Sequence, residues 1–304
     1  MTEFAVDIAN LKKTYGNIEA VRGIDLRVNV GEVFALLGPN GAGKTTTVEI
    51  LEGHRKRTEG SVSVLGHDPS NNERIFKQRI GIVLQKTGVE PYLNVEETIK
   101  LFAGYYRHPQ PIQQILEITG LEKLRSIRVQ KLSGGQLRRL DVAVGLVGNP
   151  ELLFLDEPTT GFDPSARRSA WEMISNLRTL GKTVFLTTHY MEEAEYLADR
   201  VAIMVNGKIV AEGTPKELAN HESETTIRFQ LNSTDGTLPQ HLVSKSTSSG
   251  DSIAIKTDTP TETLFEITRW SIDTGNQLKE ITVSRPSLEE IYLKLVDKSE
   301  TKVD

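Results

Sequence analysis

The residues Gly38-Pro39-Asn40-Gly41-Ala42-Gly43-Lys44-Thr45-Thr46 match the pattern G-x-x-x-x-G-K-[ST], and their chemistry is polyphosphate binding. Glycines let backbone N–H groups turn inward around an anion, and a following helix adds partial positive charge at its first turn. Lys44 is placed to reach the β- and γ-phosphates, and the Thr45 hydroxyl to ligate Mg²⁺. A second group, Asp156 and Glu157, ends the apolar run 152–155. Adjacent carboxylates at the tip of a buried strand are costly without a cation. Beside a phosphate loop that cation is Mg²⁺, held by Asp156, while Glu157 can orient or deprotonate a water. A solvated loop pair is the plain alternative. His189 lies just beyond the strand-like run 183–187, where it could contact a γ-phosphate, although a lone histidine is usually structural or exposed.

These groups need a sheet to hold them. Residues 33–37 are continuously apolar, as a strand buried on both faces should be, and 46–51 can open a helix. Ile24, Leu26, Val28 and Val30 alternate with polar residues, the period of a half-exposed strand. Tyr15 is expected in the loop before that strand, as a surface for stacking a base or simply as a partly buried aromatic. Residues 60–66 and 80–84 read as strands. The second of these ends at Gln85, which faces the ligand crevice of such a sheet or merely terminates the strand.

From residue 86 helical signals take over. Asn94-Val95-Glu96-Glu97 resembles a capping box, Pro111 sits in the first turn of a second helix, and the segment suggests a separate lobe. Leu132-Ser133-Gly134-Gly135-Gln136 opens the next helix, with Ser133 as N-cap. The two glycines make it a potential second anion site, but a plain cap explains the residues equally well. Asp163-Pro164 starts a further helix, and Asn206-Gly207 joins two strands as a hairpin. The tail from about residue 220 reads as a small α+β domain: strands near 227–231, 253–255 and 278–283, a helix over 261–274, and a Ser/Thr/Gly-rich loop over 232–251. A capping box at Ser287 opens a last helix, and no cluster of acids, histidines or nucleophiles stands out.

At 304 residues and 38% hydrophobic the chain can bury one large domain and a smaller one. A formal net charge of -5 gives no general case for nucleic acid, and the lack of cysteine excludes disulfides and thiolate zinc sites. No apolar run reaches the length of a membrane span, and the N-terminus lacks a signal peptide's regions, so a cytoplasmic location is expected.

With the phosphate loop, the Leu132–Gln136 stretch, Asp156-Glu157, Asp163 and His189 in this order, the first two-thirds of the chain resembles the ATP-binding-cassette ATPases. The Leu-Ser-Gly-Gly-Gln stretch is that family's signature motif, so the resemblance favours a nucleotide contact at Ser133, Gly134, Gly135 and Gln136 over a plain cap. It implies an α/β fold: a P-loop NTPase core with an antiparallel β subdomain and a helical lobe at about 86–147, together spanning 1–220. A C-terminal α+β accessory domain would cover 221–304. It implies ATP and Mg²⁺ as cofactors, with the metal near Thr45, Gln85 and Asp156. Tyr15 would stack adenine, Gln85 couple the lobes, Glu157 act as general base and His189 sense the γ-phosphate. Asp163 would belong to a loop at the dimer interface. The family works as a head-to-tail pair, with each ATP between one subunit's P-loop and the other's signature motif. The run 157–164 and the terminal 285–292 resemble the multidrug or daunorubicin-type exporter ATPases of prokaryotes, which drive a separately encoded permease from the cytoplasmic face of the membrane. Phe162 departs from that branch, where leucine is more usual. The competing expectation is a soluble cassette ATPase acting on ribosomes or DNA. A single cassette, the absence of sustained heptads and the acidic charge all weigh against it.

Overall fold

The computed structural model describes residues 4–84, 88–220, 225–231, 238–243, 246–249, 252–284 and 288–293, so Gln85 and the expected cap at Ser287 lie outside the described residues. The chain divides into two units, 1–215 and 216–304.

The first unit opens with two long strands, β1 (Phe4–Tyr15) and β2 (Ile18–Asn29), followed by β3 (Val33–Leu37) and α1 (Lys44–Leu51). β4 (Glu59–Val64), α2 (Arg74–Arg79) and β5 (Ile80–Val83) come next. Then follow three helices, α3 (Val95–Ala103), α4 (Ile112–Thr119) and α5 (Gly134–Leu146). β6 (Leu152–Asp156), α6 (Pro164–Thr179), β7 (Thr183–Thr188), α7 (Met191–Leu197), β8 (Arg200–Val205) and β9 (Lys208–Gly213) complete the sheet. The division between units falls at the start of α8 (Pro215–Asn220).

Two sheets share this unit. A six-stranded sheet runs β5-β6-β7-β3-β8-β9, parallel except for the β8–β9 hairpin. Asn206 and Gly207 both take positive φ (48° and 79°) in the hairpin turn, as the Asn-Gly pair demands. β2-β1-β4 form a smaller antiparallel sheet. β3 and β7 bury every residue, which is why β3 is continuously apolar and β7 carries only apolar residues and threonines rather than alternating with charge. Phe34, Phe185 and Phe154 stand in register on adjacent strands, with ring centroids 5.4 and 5.8 Å apart. Each fully buried phenylalanine contributes roughly 1.5–3 kcal/mol, so this row fixes the order of the strands that carry the site.

The three-helix segment has its own core, in which Val95, Ile99, Ile115, Leu116, Leu140 and Ala143 pack together. The expected capping box is formed: Glu97 N donates to Asn94 Oδ1 at 2.9 Å, and Asn94 N donates to Glu97 Oε2 at 2.8 Å. Pro111 stands one step earlier than expected, as the N-cap of α4 rather than inside its first turn.

The second unit contains β10 (Thr225–Leu231), α9 (Gln240–Val243), β11 (Ser246–Ser249), β12 (Ser252–Thr257), α10 (Pro260–Thr274), β13 (Leu278–Ser284) and a helical segment over 288–293. Its sheet runs β11-β12-β10-β13, entirely antiparallel, over a core of Ile227, Phe229, Leu242, Ile255 and Ile267. The loop expected over 232–251 is corrected by α9 and β11, both of which fall within it. β11 is a Ser/Thr edge strand, held by backbone pairing to β12 rather than by an apolar face.

Candidate functional site

Parallel register brings the chemistry together. Leu37 pairs with Thr188 and Asp156 with Thr187, so β3, β7 and β6 end level with one another. Gly38, His189 and Glu157 therefore leave the sheet side by side at its C-terminal edge. That edge is where a parallel sheet binds its ligands.

The phosphate loop is shaped by contacts that only glycine permits at two positions. A Cβ on Gly38 would stand 2.3 Å from the Met204 carbonyl oxygen. At Gly43, φ is +106° and a Cβ would meet the Ala20 carbonyl oxygen at 2.4 Å. α1 starts with no side chain capping it, so its first N–H groups are left for an anion. Gly41 takes φ +82° in open space, and Asn40, Gly41 and Thr45 are exposed, with Pro39 and Thr46 half-buried and Ala42 buried. Lys44 is buried, and its Nζ donates to the carbonyls of Gly38 (2.8 Å) and Pro39 (3.1 Å). Burial pushes its ammonium below the usual lysine range, while the charges of Glu157 and Asp156 favour the protonated form. An uncapped helix start, a buried lysine and an exposed threonine hydroxyl are the donor set a nucleotide triphosphate requires. The oxygens of Thr45 and Asp156 are the hard ligands Mg²⁺ takes.

The acids are held from behind. Thr187 Oγ1 donates to Asp156 Oδ1 at 2.5 Å. The Glu157 backbone N–H lies within bonding distance of both the Thr187 carbonyl (3.1 Å) and Thr187 Oγ1 (3.2 Å). Glu157 adopts φ +45°, a left-handed conformation that a non-glycine residue reaches only when its surroundings impose it. Its carboxylate accepts from Thr160 Oγ1 at 3.1 Å and stands 3.3 Å from His189 Nδ1. Glu157 and His189 thus form one unit.

The signature stretch lies at a second place. Ser133 caps α5, with Gln136 N donating to Ser133 Oγ at 3.3 Å and Ser133 N donating to Gln136 Oε1 at 2.9 Å. Asp163 caps α6, accepting from the N–H groups of Ser165 and Ala166 at 3.0 Å each. Ser133, Gly135, Gln136 and Asp163 line one cleft of about 310 Å³. A Cβ on Gly134 would meet nothing within 4 Å. Tyr15 is the last residue of β1, not a loop residue, because pairing with Ile18 extends the strand to it. Its ring is 37% exposed, lies near the cations of Lys13 and Arg55, and reaches α1 through the Arg55–Glu49 ion pair.

Several framing residues were not singled out in the sequence. Thr187, which in sequence only ends a strand, holds both acids through its hydroxyl. Glu193 on α7 is fully buried and accepts from Thr159 Oγ1 (2.7 Å) and Trp171 Nε1 (3.0 Å), tying the loop after Glu157 to α6 and α7. Burial raises its carboxyl above the usual range, opposed by hydrogen bonds from Thr188, Thr159 and Trp171. Arg138 on α5 reaches three backbone carbonyls. A buried acid or arginine on an amphipathic helix leaves no periodic signal.

A phosphate loop, paired acids and a histidine on one parallel edge, with a capped glycine-rich helix elsewhere, define a cassette-type ATPase. The family described as ABC transporter matches residues 21–160, and the chain belongs to it as an ATP-binding ATPase. Over nearly its whole length it is similar to the Nod factor export ATP-binding protein I of Rhizobium sp. (strain N33): 36% identical, covering 99% of this chain and 100% of the relative. The daunorubicin resistance ATP-binding protein DrrA3 of Streptomyces coeruleorubidus is likewise 36% identical, over 97% of this chain and 96% of its own. Among solved structures, the post-hydrolysis dimer of the ATP-binding cassette MJ0796 bound to ADP and Pi superposes with a TM-score of 0.61 at 27% identity. That match covers 69% of this chain and 98% of the other. CbiO1 from Clostridium perfringens, part of the transporter complex cbiONQ, gives 0.66 at 28% identity, over 73% and 93%.

Proposed function

We propose that this ATPase works as a head-to-tail homodimer that drives a separate membrane permease in the exporting direction. The observation that carries the hydrolytic part of the reading is the level ending of β3, β6 and β7, which sets Asp156, Glu157 and His189 side by side, within reach of the charge of Lys44. The β- and γ-phosphates lie against Lys44 and backbone N–H groups of the loop 38–46, to which Pro39 contributes none. Tyr15 stacks the adenine. Thr45, Asp156 and Gln85 would hold Mg²⁺, which would supply neutralisation of the phosphate charge. Glu157 takes the proton of the attacking water, and His189, 3.3 Å from its carboxylate, holds that carboxylate and the γ-phosphate in line. Ser133, Gly134, Gly135 and Gln136, with Asp163 beside them, meet the nucleotide of the partner subunit. Their separate cleft supports a molecule that carries two half-sites and completes each in a pair with two-fold symmetry.

The exporter direction is supported by the functions that two relatives matched over nearly their full length are named for, export of Nod factor and resistance to daunorubicin. Among the described residues no helix is long and apolar enough to cross a membrane. On this reading a separate permease makes the crossing and this chain sits at its cytoplasmic face. The unit 216–304 is the accessory domain of that assembly. The test is co-purification. Tagged Glu157→Gln protein, extracted from native membranes in mild detergent with MgATP, should remain dimeric, hydrolyse ATP at least about a hundredfold more slowly, and bring down a polytopic membrane protein in stoichiometric amount. Recovery of ribosomes or DNA without a membrane protein would refute the permease.

A further inference from the structure

Arg138 lies on the second turn of the signature helix and is 6% exposed. Its three nitrogens each donate to a different backbone carbonyl: Nε to Pro158 (3.0 Å), Nη2 to Asp156 (3.0 Å) and Nη1 to Leu84. Asp156 and Pro158 are the two neighbours of Glu157, and Leu84 is the residue before Gln85. One planar guanidinium therefore brackets the residue held at φ +45° on both sides and ties it to the end of β5. Asp141, 3.8 Å away on the same helix, balances the buried charge. A guanidinium presents its donors in a rigid fork, whereas a lysine ammonium is a single point that cannot reproduce three divergent bonds.

We propose that Arg138 is a positioning residue for hydrolysis, fixing the backbone on both sides of Glu157 so that its carboxylate faces the attacking water. Because Arg138 stands on the helix that Ser133 caps, it also joins the surface offered to the partner subunit's nucleotide to the base that serves this chain's own nucleotide. A shift of α5 on dimer closure is then delivered directly to Glu157. The inference rests on Glu157 being the base.

The experiment compares wild type, Arg138→Lys, Glu157→Gln and the double variant by steady-state and long-time phosphate release with MgATP. Each variant is assayed about 10 °C below its own melting midpoint, with wild type at the same temperature, so a loss of stability is not mistaken for a loss of rate. Arg138→Lys should lower kcat about tenfold to a hundredfold, since misplacement by an ångström has effects of that size, with KM for ATP changed less than about threefold. In the Glu157→Gln background the same substitution should change the residual rate less than about twofold, because the group it positions is already gone. An Arg138→Lys kcat within twofold of wild type would overturn the proposal. So would an equal fractional loss in both backgrounds, or a rise in KM matching the fall in kcat. Full turnover in Glu157→Gln alone would remove the base itself, an outcome that Arg138→Lys in the wild-type background does not produce.

Discussion

Replacing Glu52 by glutamine should make the first unit more stable, and increasingly so as pH rises. Glu52 follows α1 directly, is 3% exposed, and has its carboxylate 3.1 Å from His54 Nδ1. Burial first, and the charges of Asp156 and Glu49 after it, raise its carboxyl from 4.5 to about 8. The folded state therefore holds a proton at neutral pH that the unfolded chain releases. Below pH 4.5 both states are protonated and the fold suffers no penalty; between 4.5 and about 8 stability falls as the unfolded chain ionises, and above 8 the loss is complete. Each pH unit is worth about 1.4 kcal/mol, so the span sets an upper bound of roughly 5 kcal/mol. Relaxation around the carboxylate brings the expected loss nearer 2–4 kcal/mol, roughly 1 kcal/mol per unit. Urea unfolding of the intact chain should be followed from pH 5 to 8.5 in a Trp270→Phe background. Of the two tryptophans this leaves Trp171, 6% exposed in the first unit, as reporter. A difference between Glu52→Gln and Glu52 that stays constant across this range, whatever its size, would refute the buried-acid argument, because only titration produces a slope.

Two further outcomes can be checked with simpler measurements. Lys44→Ala removes the buried ammonium from the phosphate loop. It should weaken ATP binding about tenfold to a hundredfold by calorimetric titration, the worth of a charge-assisted bond to phosphate, and abolish turnover. Asp163→Ala leaves the N–H groups of Ser165 and Ala166 without their cap. It should lower stability by about 1 kcal/mol in thermal unfolding while leaving the far-UV spectrum intact.

What the sequence revealed was local. The phosphate loop, the caps at Asn94, Ser133 and Asp163, and the turn at Asn206-Gly207 are each written in a few adjacent residues, and each appears where its pattern places it. β1 escaped notice because its pairing with β2 shifts register four times. Its buried residues Ala5, Val6, Ile8 and Leu11 therefore do not alternate. β11 escaped because a Ser/Thr edge strand has the composition of a loop. The support behind Glu157 was illegible for a different reason. Arg138 meets carbonyls 18, 20 and 54 residues away, and a carbonyl has no side-chain identity to read. Acids and bases announce themselves by residue type; the backbone that aims them does not.

The central place of β3 has a consequence for how the protein is made. Its neighbours in the sheet, β7 and β8, lie at 183–188 and 200–205, far downstream of residues 33–37. At ribosomal speeds of about 5–20 residues per second, the strand emerges roughly 7–30 s before either strand that pairs with it. For that interval Val33-Phe34-Ala35-Leu36-Leu37 is an apolar strand with two open edges, the kind of sequence that holding chaperones bind and that aggregates when they do not. A nascent chain thus carries a complete phosphate-binding motif long before it carries a binding site. The last strand to arrive, not the motif, decides when the nucleotide can be held.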